Sequence, residues 1–316
     1  MRVLVTGANG FVGRKLVREL LDRNHEVFAG VTSFDNDNDT IKTGYLDILD
    51  ENSIIHAVRD FKPQGVIHLA AQTMVSKAWD NPKGTMEINV HGTINMLQAI
   101  KQYVPEAKVL TIGSSEEYGL SGKQGVSLTE ETPCFPQNPY AVSKFTAGQI
   151  ALQISLKENI NLVHVRPFNH FGPGQKKGFV ISDFISQLVL MDQGRIEPII
   201  HVGDVNVKRD FTYIDDITRA YILLLERNVG TGIYNVCSGI PRKIEDILFY
   251  LMKLIKIPIT IMKDEKKMRV NNTPLFIGSA QKINTTLGWS PQKDFYVGLE
   301  ETFEWWRQKH IIEGEQ

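Results

Sequence analysis

The chain opens Met-Arg-Val-Leu-Val-Thr-Gly-Ala-Asn-Gly-Phe-Val-Gly, and the glycines at 7, 10 and 13 restrict its fold more than any other feature. Residues 3–5 (Val-Leu-Val) read as a short buried strand of the parallel type. Residues 11–21 carry apolar side chains at helical spacing. A strand that becomes a helix within a few residues needs a tight bend, which Gly7 permits. Gly10 lets the backbone approach a phosphate, and Gly13 lets the helix close on the strand. The helix start then presents unpaired N–H groups and a positive dipole end to a pyrophosphate. Gly7, Gly10, Phe11, Val12 and Gly13 are therefore the candidate dinucleotide cradle. The spacing is G-x-x-G-x-x-G rather than G-x-G-x-x-G, and a plain glycine turn is the alternative. The strand before and the helix after favour the cradle.

A second signal is Tyr140-Ala-Val-Ser-Lys144. A helix places residues four apart on one face, so phenol and ammonium are neighbours. Acid–base work near neutrality calls for a tyrosine about two to three pK units below its ordinary value, roughly 3–4 kcal/mol. A nearby ammonium and a bound nicotinamide cation can supply such a shift. Ser114 follows the strand expected at 107–112, where its hydroxyl can hold a substrate oxygen. Y-x-x-x-K alone is often a snorkelling pair on an exposed helix. With Ser114 and the glycine turn it makes an oxidoreductase the leading reading.

A length of 316 residues allows one large domain or two modest ones. With 42% hydrophobic and 22% charged residues, the composition is that of a soluble globular chain. A net charge of −1 gives no global electrostatic case for nucleic acid or an anionic membrane. No apolar stretch approaches the ~20 residues of a membrane span. No basic leader with a small-residue cleavage site precedes the first strand, so the cytoplasm is the expected compartment. Cys134 and Cys237 lack C-x-x-C spacing and make no disulfide framework. The scattered histidines lack metal-ligand spacing, and no metal is expected.

Short apolar runs alternate with amphipathic stretches. Strands are expected at 2–6, 26–31, 43–46, 65–69, 107–112 and 161–166, and helices at 11–23, 51–60, 84–103 and 140–157. That order predicts βαβ units and a Rossmann-type, doubly wound parallel α/β sheet. Beyond about 167 the rhythm loosens, with strands near 198–202 and 232–236 and helices near 179–192, 214–226, 243–255 and 295–309. The expected division is an NAD(P)-binding domain at 1–167 and a smaller, mixed substrate lobe at 168–316. Residues near 205–240 are expected to return some elements to the first domain. The cluster Asp35-Asn36-Asp37-Asn38-Asp39 reads as a polar surface loop.

These marks resemble the extended short-chain dehydrogenase/reductases that act on nucleotide sugars, over essentially the whole chain. The matching residues are the Gly7/Gly10/Gly13 turn, Leu46-Asp47-Ile48, His68-Leu69-Ala70-Ala71, Asn89, Gly113-Ser114-Ser115 and Tyr140/Lys144. Arg166-Pro167-Phe168-Asn169, Arg209-Asp210-Phe211 and Tyr234-Asn235-Val236 match as well. The resemblance implies bound NADP(H) or NAD(H), a Ser114/Tyr140/Lys144 catalytic triad and a homodimer built from two helices per subunit. It places Thr32, Asp47, Ile48, Leu69, Ala70 and Ala71 beside the cofactor. It places Ser115, Asn169, Val180, Arg209 and Arg269 beside a nucleotide-diphosphate sugar, where guanidiniums suit phosphate oxygens.

Residues 111–119, 168–175 and 178–184 look closest to GDP-4-keto-6-deoxy-D-mannose reductases, which form GDP-D-rhamnose. A nucleotide-sugar 4,6-dehydratase or a 5-epimerase stays open. Hexose dehydratases carry an Asp-Glu pair after the Ser/Thr; here Ser115 replaces the Asp, while Glu116 remains as a candidate catalytic base. Asp183 stands where GDP-mannose dehydratases have a lysine. The segment Arg269-Val270-Asn271-Asn272 lacks the proline and acid usual there. No acid ends the second strand at Thr32-Ser33 to grip a ribose 2′-OH, and Asp35 comes two residues late. A catalytically silent binding protein on the same scaffold would be expected to have lost Tyr140 or Lys144, and both are present.

Overall fold

The structure, a computed structural model, describes residues 1–33, 43–267 and 273–314, of which 266 and 310–314 by backbone alone. Asp35, the rest of its polar cluster and Arg269 lie outside the described residues.

The chain begins β1 (Arg2–Thr6), α1 (Phe11–Asp22), β2 (Glu26–Val31), β3 (Thr43–Tyr45), α2 (Glu51–Phe61) and β4 (Gly65–His68). After α3 (Val75–Asp80), α4 (Pro82–Met86) passes through one wide π-turn (Glu87–His91) into α5 (Gly92–Tyr103). Then come β5 (Lys108–Ile112), a 3-10 turn (Ser115–Tyr118), α6 (Pro139–Glu158) and β6 (Leu162–Pro167). The remainder is β7 (Asn169–Phe171), α7 (Val180–Asp192), β8 (Ile199–Val202), β9 (Lys208–Tyr213), α8 (Ile214–Glu226) and β10 (Gly232–Val236). It ends β11 (Pro241–Lys243), α9 (Ile244–Met252), β12 (Thr260–Lys263), β13 (Leu275–Phe276), α10 (Gln281–Leu287) and α11 (Phe295–Gly314).

Seven strands form one parallel sheet in the order β10-β6-β5-β4-β1-β2-β3, with the reversal between β1 and β4 that marks a Rossmann fold. One face is packed by Leu16, Val17 and Leu20 of α1 and by Ile217, Ala220 and Leu224 of α8. The other carries Ile54 and Val58 of α2, Met96 and Ile100 of α5, and Ala151 of α6. A fully buried aliphatic side chain contributes about 1.5–3 kcal/mol, so these stripes dock the helices whatever their intrinsic propensity. A separate core of α7, α9 and α11 with Phe171, Phe211 and Phe295 makes up the smaller lobe. Among the described residues no helix is long and apolar enough to cross a membrane.

The expected strands of the large sheet fall within a residue of their places. The helix expected over 84–103 is divided, because Asn89 in the π-turn serves two partners. Its Nδ2 donates to Gln72 O at 3.0 Å and Ser143 Oγ at 2.8 Å, and its Oδ1 accepts from Gln72 N at 2.8 Å. A wide turn of this kind re-aims one side chain without ending the helix. Strand β9 was not anticipated, since Lys-Arg-Asp reads as a loop. Asp210 is nonetheless fully buried, accepting from Ser238 N and Oγ, Gly239 N and Gly278 N at 2.6–3.2 Å.

The register aligns Thr6 with His68, His68 with Thr111 and Thr111 with His164, one residue per strand across the carboxyl end of the sheet. The row is buried and polar, and it pairs internally. Thr6 Oγ1 and His68 Nδ1 are 2.9 Å apart, and Thr111 Oγ1 and His164 Nδ1 are 3.0 Å apart.

Gly7 has φ +65°, and Gly13 packs so closely that a Cβ there would meet Gly7 O at 2.4 Å and Ala8 O at 2.7 Å. Gly13→Ala must therefore push α1 away from the turn. We expect a loss of about 1–3 kcal/mol in denaturant unfolding, together with weakened cofactor binding by fluorescence titration. Wild-type values of both would show that the turn yields without cost.

Candidate active site

Asn138 and Pro139 decide where α6 starts. Asn138 caps the helix by accepting from Ala141 N at 2.8 Å, and Pro139 takes a first-turn position. Tyr140 and Lys144 then fall on the buried face of the first two turns. Lys144 Nζ donates to Ile112 O at 2.8 Å, the carbonyl that ends β5. The Tyr140 phenol lies near enough to the Ser114 side chain to feel it electrostatically. Ser114 is the N-cap of the 3-10 turn, its Oγ accepting from Glu116 N at 3.1 Å. The three triad candidates are thus brought together. Ser115 is buried beside them, and half-buried Glu116 accepts from Asn138 Nδ2 at 3.2 Å.

The electrostatics correct one expectation. Tyr140 is pushed up, not down: burial raises its phenol, and the Ser114 side chain offsets only part of this. The Lys144 ammonium points to the Ile112 carbonyl, and burial pulls its own pKa down to about 8. His68, beneath the helix, is pulled down to about 3 by burial and then by Lys144, and is neutral. Thr6 Oγ1 accepts from Ala70 N at 3.0 Å and lies 2.9 Å from His68 Nδ1. His68 Nε2 is buried without a hydrogen-bond partner among the described residues.

On the cofactor side, Gly10 caps α1 with no side-chain hydrogen bond, leaving the N–H groups of Phe11 and Val12 facing outward from the helix start. A Cβ on Gly7 would come within 2.9 Å of Ala70 N, so the loop after β4 closes directly on the turn. Leu69, Ala70 and Ala71 line it half-buried, and Thr32 is exposed at the end of β2. Asn9, not singled out from the sequence, reaches Ser33 O at 3.2 Å and ties the turn to that strand end. Asp47 Oδ1 accepts from Leu49 N at 2.9 Å. Ile48 is buried in the core, so its contact with a ligand is limited to its backbone edge.

On the substrate side, Asn169 is exposed, its Nδ2 donating to Asp210 O at 3.3 Å. Arg209 is held in place by Nη1 donating to Thr273 O at 2.7 Å and Lys208 O at 2.8 Å. Val180 opens α7, half-buried against the lobe core. Asp183 turns back to accept from Gly178 N at 2.6 Å, stapling the loop before that helix. His170 stacks on Phe11 at 6.0 Å between ring centroids and 5° between planes, joining the lobe to the glycine turn. Sequence reasoning missed this pair, since neither residue carries a motif by itself.

Fold and site together define an extended short-chain dehydrogenase/reductase. The family model described as GDP-mannose 4,6 dehydratase matches residues 4–302, and the chain belongs to that family. It is 36% identical over 291 residues to the GDP-6-deoxy-D-mannose reductase of Pseudomonas aeruginosa, covering 92% of each chain. It is 28% identical to the GDP-6-deoxy-D-talose 4-dehydrogenase of Aggregatibacter actinomycetemcomitans, over 91% of this chain and 92% of that one. The structure of RMD from Pseudomonas aeruginosa complexed with NADPH superposes with a TM-score of 0.84 at 33% identity, covering 98% of this chain and 99% of that one.

Reducing a ketone places negative charge on its oxygen, so a nearby proton donor acts mainly in the transition state. Tyr140→Phe should lower kcat by on the order of 10²–10⁴ with cofactor binding kept. Lys144→Ala should weaken both turnover and cofactor binding. Steady-state kinetics with cofactor titration checks this, and near-normal turnover of Tyr140→Phe would remove the phenol from the mechanism.

Proposed function

We propose that the protein is an NAD(P)H-dependent reductase of the C4 ketone of a 4-keto-6-deoxy nucleotide sugar, of the type that converts GDP-4-keto-6-deoxy-D-mannose to GDP-D-rhamnose. The observation that carries this reading is the gathering of Ser114, Tyr140 and Lys144, all buried, at the carboxyl end of β5, with Lys144 Nζ on the Ile112 carbonyl. Reduction needs a proton donor at the ketone. A reaction that begins by oxidising a hydroxyl needs a base there instead. The similarity to a GDP-6-deoxy-D-mannose reductase supports the same substrate class.

Residues 1–167 hold the cofactor in this reading, and 168–316 form the sugar-nucleotide lobe, with β10 and α8 returned to the large sheet. Phe11 and Val12 N–H groups at the α1 start hold the pyrophosphate, and the residues present fit it: the helix start is uncapped by any side chain. The reduced nicotinamide supplies the hydride. Ser114 orients the ketone oxygen, Tyr140 delivers a proton to it, and Lys144 stands behind Tyr140 on the same helix face. Arg209, Arg269 and Asn169 are the residues assigned to the diphosphate and ribose, with Val180 beside the base. Exposed Val142 and Leu156 on α6 support a homodimer, and the cytoplasm suits a water-soluble nucleotide-sugar substrate.

One observation favours a 4,6-dehydratase as the second reading: Asn138 holds Glu116 at the mouth of the triad, where a C5 base would stand. Against it, Ser115 has no useful acidity near neutrality and is buried. A dehydratase returns its own hydride, whereas a reductase consumes one NAD(P)H per turnover. We expect stoichiometric NAD(P)H oxidation with a 4-keto-6-deoxy nucleotide sugar, and a Glu116→Gln variant keeping at least roughly a tenth of the activity. A dead variant, with a 4-keto product formed from an intact nucleotide hexose without reductant, would establish the dehydratase.

Thr32 and Ser33 end β2 with hydroxyls and no carboxylate, which removes repulsion of a 2′-phosphate without adding a cation to select it. Both cofactors should serve, with a lean to NADPH. An NADH preference above about tenfold, ~1.4 kcal/mol, in kcat/KM would mean that an acid such as Asp35 reaches the ribose.

A further inference from the structure

Glu117 lies outside every role assigned so far, yet it is fully buried directly behind Ser114. Its Oε1 accepts from Ser114 N at 2.9 Å and lies 3.1 Å from His164 Nε2, and its Oε2 accepts from Arg166 Nε at 2.8 Å. His164 and Arg166 are two apart on β6. His164 continues into the polar row through Thr111, whose hydroxyl serves Nδ1 and leaves Nε2–H for the carboxylate. Room for the pair is left by two glycines. A Cβ on Gly113 would lie 2.1 Å from Glu117 Oε1, and one on Gly148, in the catalytic helix, 2.4 Å from His164 Nε2. The Arg166 guanidinium also covers the Tyr118 ring at 4.8 Å.

A buried carboxylate with this many donors is costly to displace, because each donor it abandons becomes an uncompensated buried group. We infer that Glu117 is a positioning residue: anchored to β6 through Arg166 and His164, it fixes the backbone of Ser114, and with it the serine hydroxyl and the 3-10 turn that presents Ser115 and Glu116. The inference rests on the reductase reading for the chemistry that Ser114 serves.

A second consequence follows from charge. Among the described residues, the ionisable groups facing Glu117 are His164 and Arg166 from β6, Tyr140 and Lys144 from α6, Tyr118 on its own turn, and Cys134 from the loop before α6. Burial alone would raise Glu117, but His164, Arg166 and the Ser114 N–H outweigh it and hold the carboxyl below its ordinary value. The group is therefore ionised at neutral pH. Its charge favours the Lys144 ammonium against the burial that brings that lysine to about 8. The ammonium is present below that value and lost as pH rises through it.

Three variants separate reach from charge. Glu117→Asp keeps the charge but is too short to serve Ser114, His164 and Arg166 together, so kcat should fall about 10–100-fold with the pH profile in place. Glu117→Gln keeps the reach and loses the charge. Its cofactor affinity, read by fluorescence titration without any sugar, should fail about one pH unit lower than wild type. If Glu117→Gln does not fold, Glu117→Leu/Arg166→Met removes a negative and a positive charge together, so its pH midpoint should move less than that of Glu117→Gln while kcat falls as in Glu117→Asp. Wild-type kcat in Glu117→Asp or in the double variant, or an unmoved pH midpoint in Glu117→Gln, would overturn the inference. If wild-type enzyme fails to turn over the keto sugar, the reductase reading falls, while the sugar-free pH titration still decides the role of Glu117.

Discussion

Helix α6, which carries Tyr140 and Lys144, lies on a surface that is polar where a sheet face is ordinarily apolar. Thr6, His68, Thr111 and His164 stand in one register row beneath it. Each is buried, and two hydroxyl–imidazole pairs satisfy most of the row internally. An unpaired polar group in such a place costs on the order of 1–3 kcal/mol, so the row has few alternative arrangements. The position of Lys144 follows from it, with the Nζ held on the Ile112 carbonyl at the end of β5. Asn89 adds a second constraint by joining the Gln72 loop to Ser143, between Tyr140 and Lys144. The loop after β4 and the first turns of α6 are thereby tied to one side chain.

At the opposite edge of the cleft, the glycine turn is equally unforgiving but for steric reasons. Gly7 approaches the Ala70 backbone, and Gly13 approaches the carbonyls of the turn itself. The helix that results starts without a side-chain cap, so its dipole and its free N–H groups face the cleft. Phe11, the first residue of that helix, stacks on His170 of the small lobe. The ring contact lets the lobe that carries Asn169 and Arg209 take its place from the same turn.

Much of this was legible in the sequence because short apolar runs and tight glycine spacing are compatible with few backbone arrangements. β1, β2, β4 and β10 are of that kind, as are the triad candidates once Tyr140, Lys144 and Ser114 are read together. Strand β9 was not legible, because Lys208-Arg209-Asp210 looks solvated and the burial of Asp210 depends on amides from Ser238, Gly239 and Gly278 far along the chain. The break in the helix over 84–103 was hidden for a similar reason: only the fold brings Ser143 and Gln72 to Asn89. Glu117, a charged residue in a loop, reads as exposed until β6 supplies Arg166 and His164.

The direction of the Tyr140 shift shows where reading from residue types alone must fail. Four-residue spacing puts Lys144 on the same helix face as Tyr140, and an ammonium beside a phenol would lower its pKa. Spacing is silent on where the ammonium points and on how much water is excluded. Here the lysine is turned to a backbone carbonyl, and burial raises the phenol with only a partial offset from Ser114. A phenol in that state keeps its proton until a stronger demand arrives, and the oxyanion formed by hydride addition is such a demand. A phenol is protonated at neutral pH with or without that burial, so what the pocket fixes is the place of the proton, beside Ser114 at the end of β5.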